Sequence, residues 1–457
     1  MEKYSEKADV EEVEHAELQV RDVDPEFERK TIRRVDWRLL PLMSALYAVA
    51  LIDRTNLSVK FPNSARTAGM AVDLDLTVSN RYSTVSCLYF VPYILFQLPS
   101  NILLKFFGVR LWLTICILGW GIVQLGMGFV KTWGQLTVCR VLLGLFEAGF
   151  FPALVFVITT WYKRHEVQKR LALFYLTSVV IGGFSGIIGY AITFLKGKGG
   201  LDSWNWIFII QGILTIVLAI LNHLFIAEFP QRNNFLTVEQ TNLILSRVEL
   251  DRGDSLPDEI TLAKVLHHLV SLMFMCATMP AYAVAYFVTI ILNSMGWSVR
   301  NSLLLSTPPY AISCFTFAWL SDKTKKRAPF IAVQAVMILV GMALTGYAKQ
   351  NGVRYFGLFL SAAGSSGCVP AVLAYRAVST AVIVSAGGVG GIFATTVFRE
   401  QDFPRYLNGV WATIGCQLLM IVLLAITSWH FARKNRLLRE GKLLAPLEGT
   451  PGFYYTI

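Results

Sequence analysis

The sequence predicts an all-α polytopic membrane protein with twelve transmembrane helices in two sets of six. Three observations carry that prediction. Apolar residue types make up 54% of the 457 residues and charged types only 16%, whereas soluble domains carry about a quarter charged. Twelve mostly apolar runs follow one another, each near the roughly 20 residues that a helix needs to cross hydrocarbon. The basic residues fall in short clusters between alternate runs, which is how orientation in a bilayer is written.

The first set reads Leu39–Leu57, Tyr82–Leu104, Val109–Val130, Leu136–Tyr162, Leu171–Phe194 and Trp206–Ile226. The second reads Leu269–Leu292, Leu303–Leu320, Phe330–Tyr347, Phe356–Ala374, Ala377–Val397 and Gly409–Phe431. Residues 1–38 form a charged N-terminal tail whose first 30 or so residues are expected to be disordered, and 432–457 form a second tail. No apolar secretory segment opens the chain. The polar linker 227–268 carries apolar residues at helical spacing on a charged background, so one or two surface helices are expected there. With both ends cytosolic, the inside segments hold 28 of the 41 Lys and Arg and the outside loops hold 11. Arg54 and Arg140 lie within spans.

The net charge of +11 does not point to nucleic acid, because the basic residues are dispersed between apolar runs and line no single polar face. The cysteines all sit inside apolar runs without metal or redox spacing, and they read as reduced core side chains. The histidines show no catalytic or zinc-binding pattern, so no enzyme, no metal and no cofactor is expected. No GK[ST] loop occurs, which removes an ATP-driven motor from the chain itself.

Ionisable groups inside a span are expensive and need a partner or a purpose. Span one ends LIDRTN, placing Asp53 and Arg54 in its outer third. Span four carries RVLLGLFEAGFFPAL, in which Arg140, Gly144 and Glu147 share one face and Pro152 follows. At ~1.5 Å of rise per residue, Asp53, Arg54 and Arg140 lie within roughly 10 Å of the outer surface and Glu147 lies near the midplane. Two arginines at one depth suit an anion, and two acids beside them can exchange protons. The plainer reading makes both pairs neutralising contacts that set helix packing. Gly182 and Gly186 of span five suit close helix crossing or gating. Tyr282 and Tyr286 of span seven either line a cavity or pack against a neighbour.

Several stretches together resemble one family. RRVDWRLLPLMSALYAVALIDRTNLS, FVPYILFQLPSNILLKFFGVRLW, RVLLGLFEAGFFPAL, WNWIFIIQG, MPAYAVAYF, STPPYA, LSDKTKKRAPF and GGVGGIFATTVFREQD are similar to the fungal anion:cation symporter branch of the major facilitator superfamily. Within that branch, the allantoate/nicotinate-permease-like carriers are the closest in appearance. The resemblance implies two six-helix bundles working by alternating access around a central cavity. It also implies proton-coupled uptake of a small organic anion (a carboxylate, ureide or vitamin-like compound) by a monomer in the plasma membrane. It maps coupling and substrate binding onto Asp53, Arg54, Arg140 and Glu147; joined to the reading of span seven, the expectation is substrate binding by Arg54, Arg140, Tyr282 and Tyr286 and proton coupling by Asp53 and Glu147. Protonation of Glu147 would free Arg140 to meet an incoming carboxylate. The superfamily's signature loop is altered between spans two and three, where Lys105 and Phe106 replace its Asp-Arg, while its second copy keeps Asp322 and Lys323. Spans ten and eleven are joined by Tyr375 and Arg376 alone, shorter than in relatives. The alternative is a transport-inactive nutrient sensor or degenerate paralogue that keeps the fold.

Overall fold

The computed structural model describes residues 24–56, 70–76, 78, 81–183, 188, 191–192, 194–252, 269–284, 328–375, 380–398, 402 and 406–440. Helix α1 spans Pro25–Asn56, α2 Arg81–Phe107, α3 Val109–Met127, α4 Trp133–Glu147, α5 Phe150–Trp161 and α6 Arg164–Gly183. Then come α7 (Ser203–Phe225) and α8 (Val238–Arg252), and α9 (Leu269–Val284). The series closes with α10 (Ala328–Tyr347), α11 (Asn351–Tyr375), α12 (Thr380–Val397) and α13 (Leu407–Arg439). Seven helices among the described residues are long and apolar enough to cross a membrane. Two shorter apolar helices, Leu269–Val284 and Ile383–Val397, fall where spans seven and eleven are expected. Span eight lies outside the described residues.

Two boundaries differ from the sequence expectation. Helix α1 begins at Pro25, inside the stretch expected to be disordered. Asp24 Oδ1 accepts from the Glu26 amide at 3.0 Å, Pro25 sits at the first helical position, and Glu26 and Glu28 occupy the first turn. Those are helix-start signals written as DPEFE. Span four is one apolar stretch, Trp133–Trp161, with an internal boundary between α4 and α5 at Ala148–Gly149, where the backbone stays in the right-handed helical region. Pro152 has no N–H to offer the Ala148 carbonyl, and its ring crowds the turn before it, so the ladder opens there.

Linker helix α8 forms where helical spacing predicted one, and a chain of alternating charges fixes it to the start of the bundle. Arg247 is buried, with Nε 2.6 Å from Glu28 of α1 and Nη2 2.7 Å from Glu166 of α6. Glu166 lies 3.8 Å from Arg170, and Arg170 meets Asp36 of α1 at 2.6 Å. A guanidinium this buried needs such partners, because removing charge from water is costly.

Small residues set the helix crossings. A Cβ at Gly212 of α7 would come within 2.5 Å of the Leu125 backbone nitrogen of α3. In α12 the GGVGG motif presents two faces. Gly387 and Gly390 lie against α9 at Phe274 and Met275, while Gly388 and Gly391 lie against α2 at Ile94 and Phe90. Helix α12 is therefore clasped between a helix of its own set and one of the first set. Ser385 adds a hydrogen bond to the buried Gln97 of α2 across the same contact.

The connection between α2 and α3 is turned by Gly108 at φ +80°. Glu228, which follows α7, then accepts from the amides of Val109 and Arg110 at 3.1 and 2.9 Å. A carboxylate on the first two free amides of α3 satisfies its N-terminus and complements its dipole.

Candidate substrate and coupling site

Asp53, near the end of α1, is fully buried. Its two oxygens accept from α3: Trp120 Nε1 at 2.9 Å and Gln124 Nε2 at 3.2 Å. Trp120 and Gln124 are four apart, so one face of α3 delivers both donors. Gln124 also reaches Gln211 Oε1 of α7 at 3.4 Å. A buried carboxylate held by two side-chain donors is hydrogen-bonded as burial demands. Its held position, however, comes from spans three and six and was not foreseen.

Arg140, Gly144 and Glu147 of α4 are all buried on one face, as their spacing predicted. Glu147 is fully buried at the last residue of α4, immediately before that boundary. Tyr89 Oη of α2 donates to Glu147 Oε2 at 2.6 Å, a length typical of a bond to a carboxylate. Gly144 makes that bond geometrically available. A Cβ there would overlap the Tyr89 carbonyl oxygen and press on Pro92 at 3.0 Å, so only glycine lets α2 come close enough. Gly149, at the boundary, lies against Ser100 of α2, where a Cβ would collide with the hydroxyl. Pro152 is buried one turn later.

We expect Gly144→Val to lower stability by about 1–3 kcal/mol or more, since overpacking against backbone has little room to relax. A fall in the thermal midpoint of the purified protein checks this. By contrast, a Cβ at Gly182 would meet only Leu51 Cβ at 3.8 Å, an ordinary contact.

Asp53 lies within electrostatic reach of both Glu147 and Arg140. Trp120, which donates to Asp53, packs edge-on to Phe150 at 5.7 Å between centroids. Thus two acids and one guanidinium from α1 and α4 form a single cluster inside the first set of helices. Tyr282 of α9 approaches the same region from the second set, edge-on to Phe90 at 5.4 Å. Phe90 in turn packs against Tyr89 at 5.0 Å.

Arg54 belongs to α1, but its side chain lies outside the described residues, as do Tyr286, Gly186, Asp322 and Lys323. The sequence reading missed Trp120, Gln124, Gln211, Tyr89 and Gln97. The amides carried a usable signal, since a glutamine in the middle of an apolar run must find a partner inside. The described cysteines 87, 116, 139, 276, 368 and 416 are free thiols.

Residues 43–399 match the family profile of the Major Facilitator Superfamily. The chain belongs to the major facilitator superfamily. Superfamily members are secondary transporters, not enzymes, and similar proteins include fungal transporters. An uncharacterized transporter of Schizosaccharomyces pombe is 30% identical over 437 residues, covering 91% of this chain and 85% of its own. The high-affinity nicotinic acid transporter of Saccharomyces cerevisiae is 27% identical over 432 residues, covering 89% and 79%. Among solved structures, the partially occluded, inward-open xylose transporter XylE of E. coli aligns with a TM-score of 0.67 at 14% identity, over 87% of this chain and 99% of that one. The human organic anion transporter MFSD10 aligns at 0.63 and 12% identity, over 85% and 99%. At those identities the two structures speak for the fold alone. The superfamily fold fits what the sequence predicted: helices throughout, in two sets, with the ionisable cluster inside the first.

Proposed function

We propose that this superfamily carrier takes up a small organic anion together with protons, using the buried cluster of Asp53, Arg140 and Glu147. The observation that carries the reading is the depth of that cluster. Two carboxylates without any solvent exposure and a nearly buried arginine sit within electrostatic range of one another. Packing alone is served better by apolar side chains, because desolvating ions generally outweighs their mutual attraction. Charges that exchange a proton for an anion have a reason to be there.

In this reading Arg140 and Arg54 receive the substrate carboxylate, with Tyr282 and Tyr286 closing over it. Asp53 and Glu147 carry the proton, and Asp322, Lys323 and the small residues of span five act in gating. Proton and anion then support each other's binding, which is the linkage a symporter needs. Both termini and the linker 227–268 face the cytosol, the carrier works as a monomer, and the plasma membrane is its place. A relative named for nicotinic acid transport is consistent with a carboxylate cargo.

A radiolabel uptake screen in cells expressing the chain tests the reading across carboxylates, ureides and vitamins, each paired with its uncharged amide. Acids should enter in preference to amides, and faster at acidic external pH. Amides entering as well as acids would remove the arginines from the substrate. Uptake of none of the compounds would favour the transport-inactive alternative.

A further inference from the structure

Several charged groups at the end of the bundle where α1 begins are committed to partners. Arg247 pairs with Glu28 and Glu166, and Arg170 pairs with Asp36. Glu228 is committed to the amides of α3, and Arg34 donates to Gln240 at 3.5 Å. Arg38 differs from all of these. Its guanidinium carbon lies 5.4 Å from the ring centre of Phe225, at the end of α7, and 5.9 Å from that of Phe235, in the segment before α8. Its Nε is buried without a hydrogen-bond partner, and no carboxylate among the described residues pairs with it.

Arg38 is the last charged residue before the apolar stretch that starts at Leu39, so it stands at the edge of the hydrocarbon. Its neighbour Trp37 is 71% exposed, as suits a tryptophan at a membrane interface. Leu224 and Phe225 of α7, beside it, are also exposed. The guanidinium is therefore held by two aromatic faces, half out of water, at the boundary with lipid, and no carboxylate among the described residues pairs with it. Cation–π contacts fix its orientation, and its planar fork matches the paired oxygens of a phosphate. Arg33, Arg34 and Arg232 are exposed at the same end. Their field favours a headgroup with net negative charge over a zwitterionic one.

We propose that Arg38, clasped by Phe225 and Phe235, is a binding site for the phosphate of an anionic phospholipid. Its acyl chains lie along Leu224 and Phe225, and Trp37 marks the headgroup level. The site joins three elements: the start of α1, the end of α7 and the segment leading to α8. A bound lipid consequently adds to the ion pairs of Arg247 in tying the linker helix to the first set of helices.

The test uses the full chain purified in neutral detergent. Binding of short-chain phosphatidylglycerol, short-chain phosphatidylcholine and inorganic phosphate is measured by native mass spectrometry and by the shift in thermal midpoint. Wild type should bind phosphatidylglycerol and be stabilised by it, with little response to phosphatidylcholine. Arg38→Gln should bind it roughly tenfold more weakly, the loss expected for one charge-assisted contact. Arg33→Gln removes one of the exposed charges that only add to the field, so it should weaken binding much less than Arg38→Gln does. Phe235→Leu keeps the charge and removes one aromatic face, so it should weaken binding even if Arg38→Gln fails to fold. Undiminished binding by Arg38→Gln or by Phe235→Leu overturns the proposal, as does equal loss in Arg33→Gln, which would mean diffuse charge. Stabilisation by inorganic phosphate alone would make the site one for soluble anions and overturn its assignment to lipid.

Discussion

Glu147→Gln should abolish uphill uptake driven by external acid while leaving substrate binding and counterflow exchange largely intact. The side chain keeps its size, and its amide oxygen can still accept from Tyr89, which donates to Glu147 Oε2 at 2.6 Å. The fold around α4 is therefore kept, and what disappears is the exchangeable proton. With one proton carried per anion, a pH difference of one unit supports about a tenfold accumulation, the ratio equivalent to ~1.4 kcal/mol. The variant should approach a ratio of about one, with label still exchanging across the membrane. Accumulation by Glu147→Gln in response to acid would return the residue to a structural role and make Asp53 the next candidate. Asp53→Asn is a less clean probe. Asp53 accepts on both oxygens, from Trp120 and from Gln124, and asparagine would turn an N–H toward one of those donors. Part of its loss would be misfit.

Arg140→Lys should impair uptake nearly as much as Arg140→Ala, about 10- to 100-fold in apparent affinity for a carboxylate. Arg140 is 3% exposed, so a lysine there would have to place a compact, strongly hydrated charge in a site built around a planar fork. It can offer a point charge but not two parallel N–H bonds. The same comparison applies to Arg54. Initial rates over a range of substrate concentrations decide it: lysine variants that restore wild-type affinity would leave bulk charge, not bidentate recognition, as what matters.

Most of the helices were legible because their cause is local. An apolar run of bilayer length specifies a span wherever it occurs, and the observed ends of α2, α3, α7 and α10 lie within a few residues of those expected. The face shared by Arg140, Gly144 and Glu147 was equally legible, since helical spacing alone fixes it. Partners distant in sequence were not. Trp120 and Gln124 meet Asp53 across 67 and 71 residues, and no spacing rule links a tryptophan on one span to an acid on another. Tyr89 reaches Glu147 only because Gly144 admits α2 so closely, which depends on how two helices cross. The boundary after Glu147 lay in plain view as Pro152. The span itself still runs on as one helix from Trp133 to Trp161. The start of α1 was obscured for a different reason: its charged first turns look like a tail until DPEFE is read as a cap.

The central claim is that one proton enters with each anion through the buried cluster. Purified protein in liposomes, with a pH indicator outside and no imposed gradient, puts that claim to its most direct test. Adding a transported carboxylate to the outside should make the external medium more alkaline, in step with the label taken up. The proton signal should vanish in Glu147→Gln liposomes while label exchange persists. Label entering wild-type liposomes with no change in external pH would contradict the account.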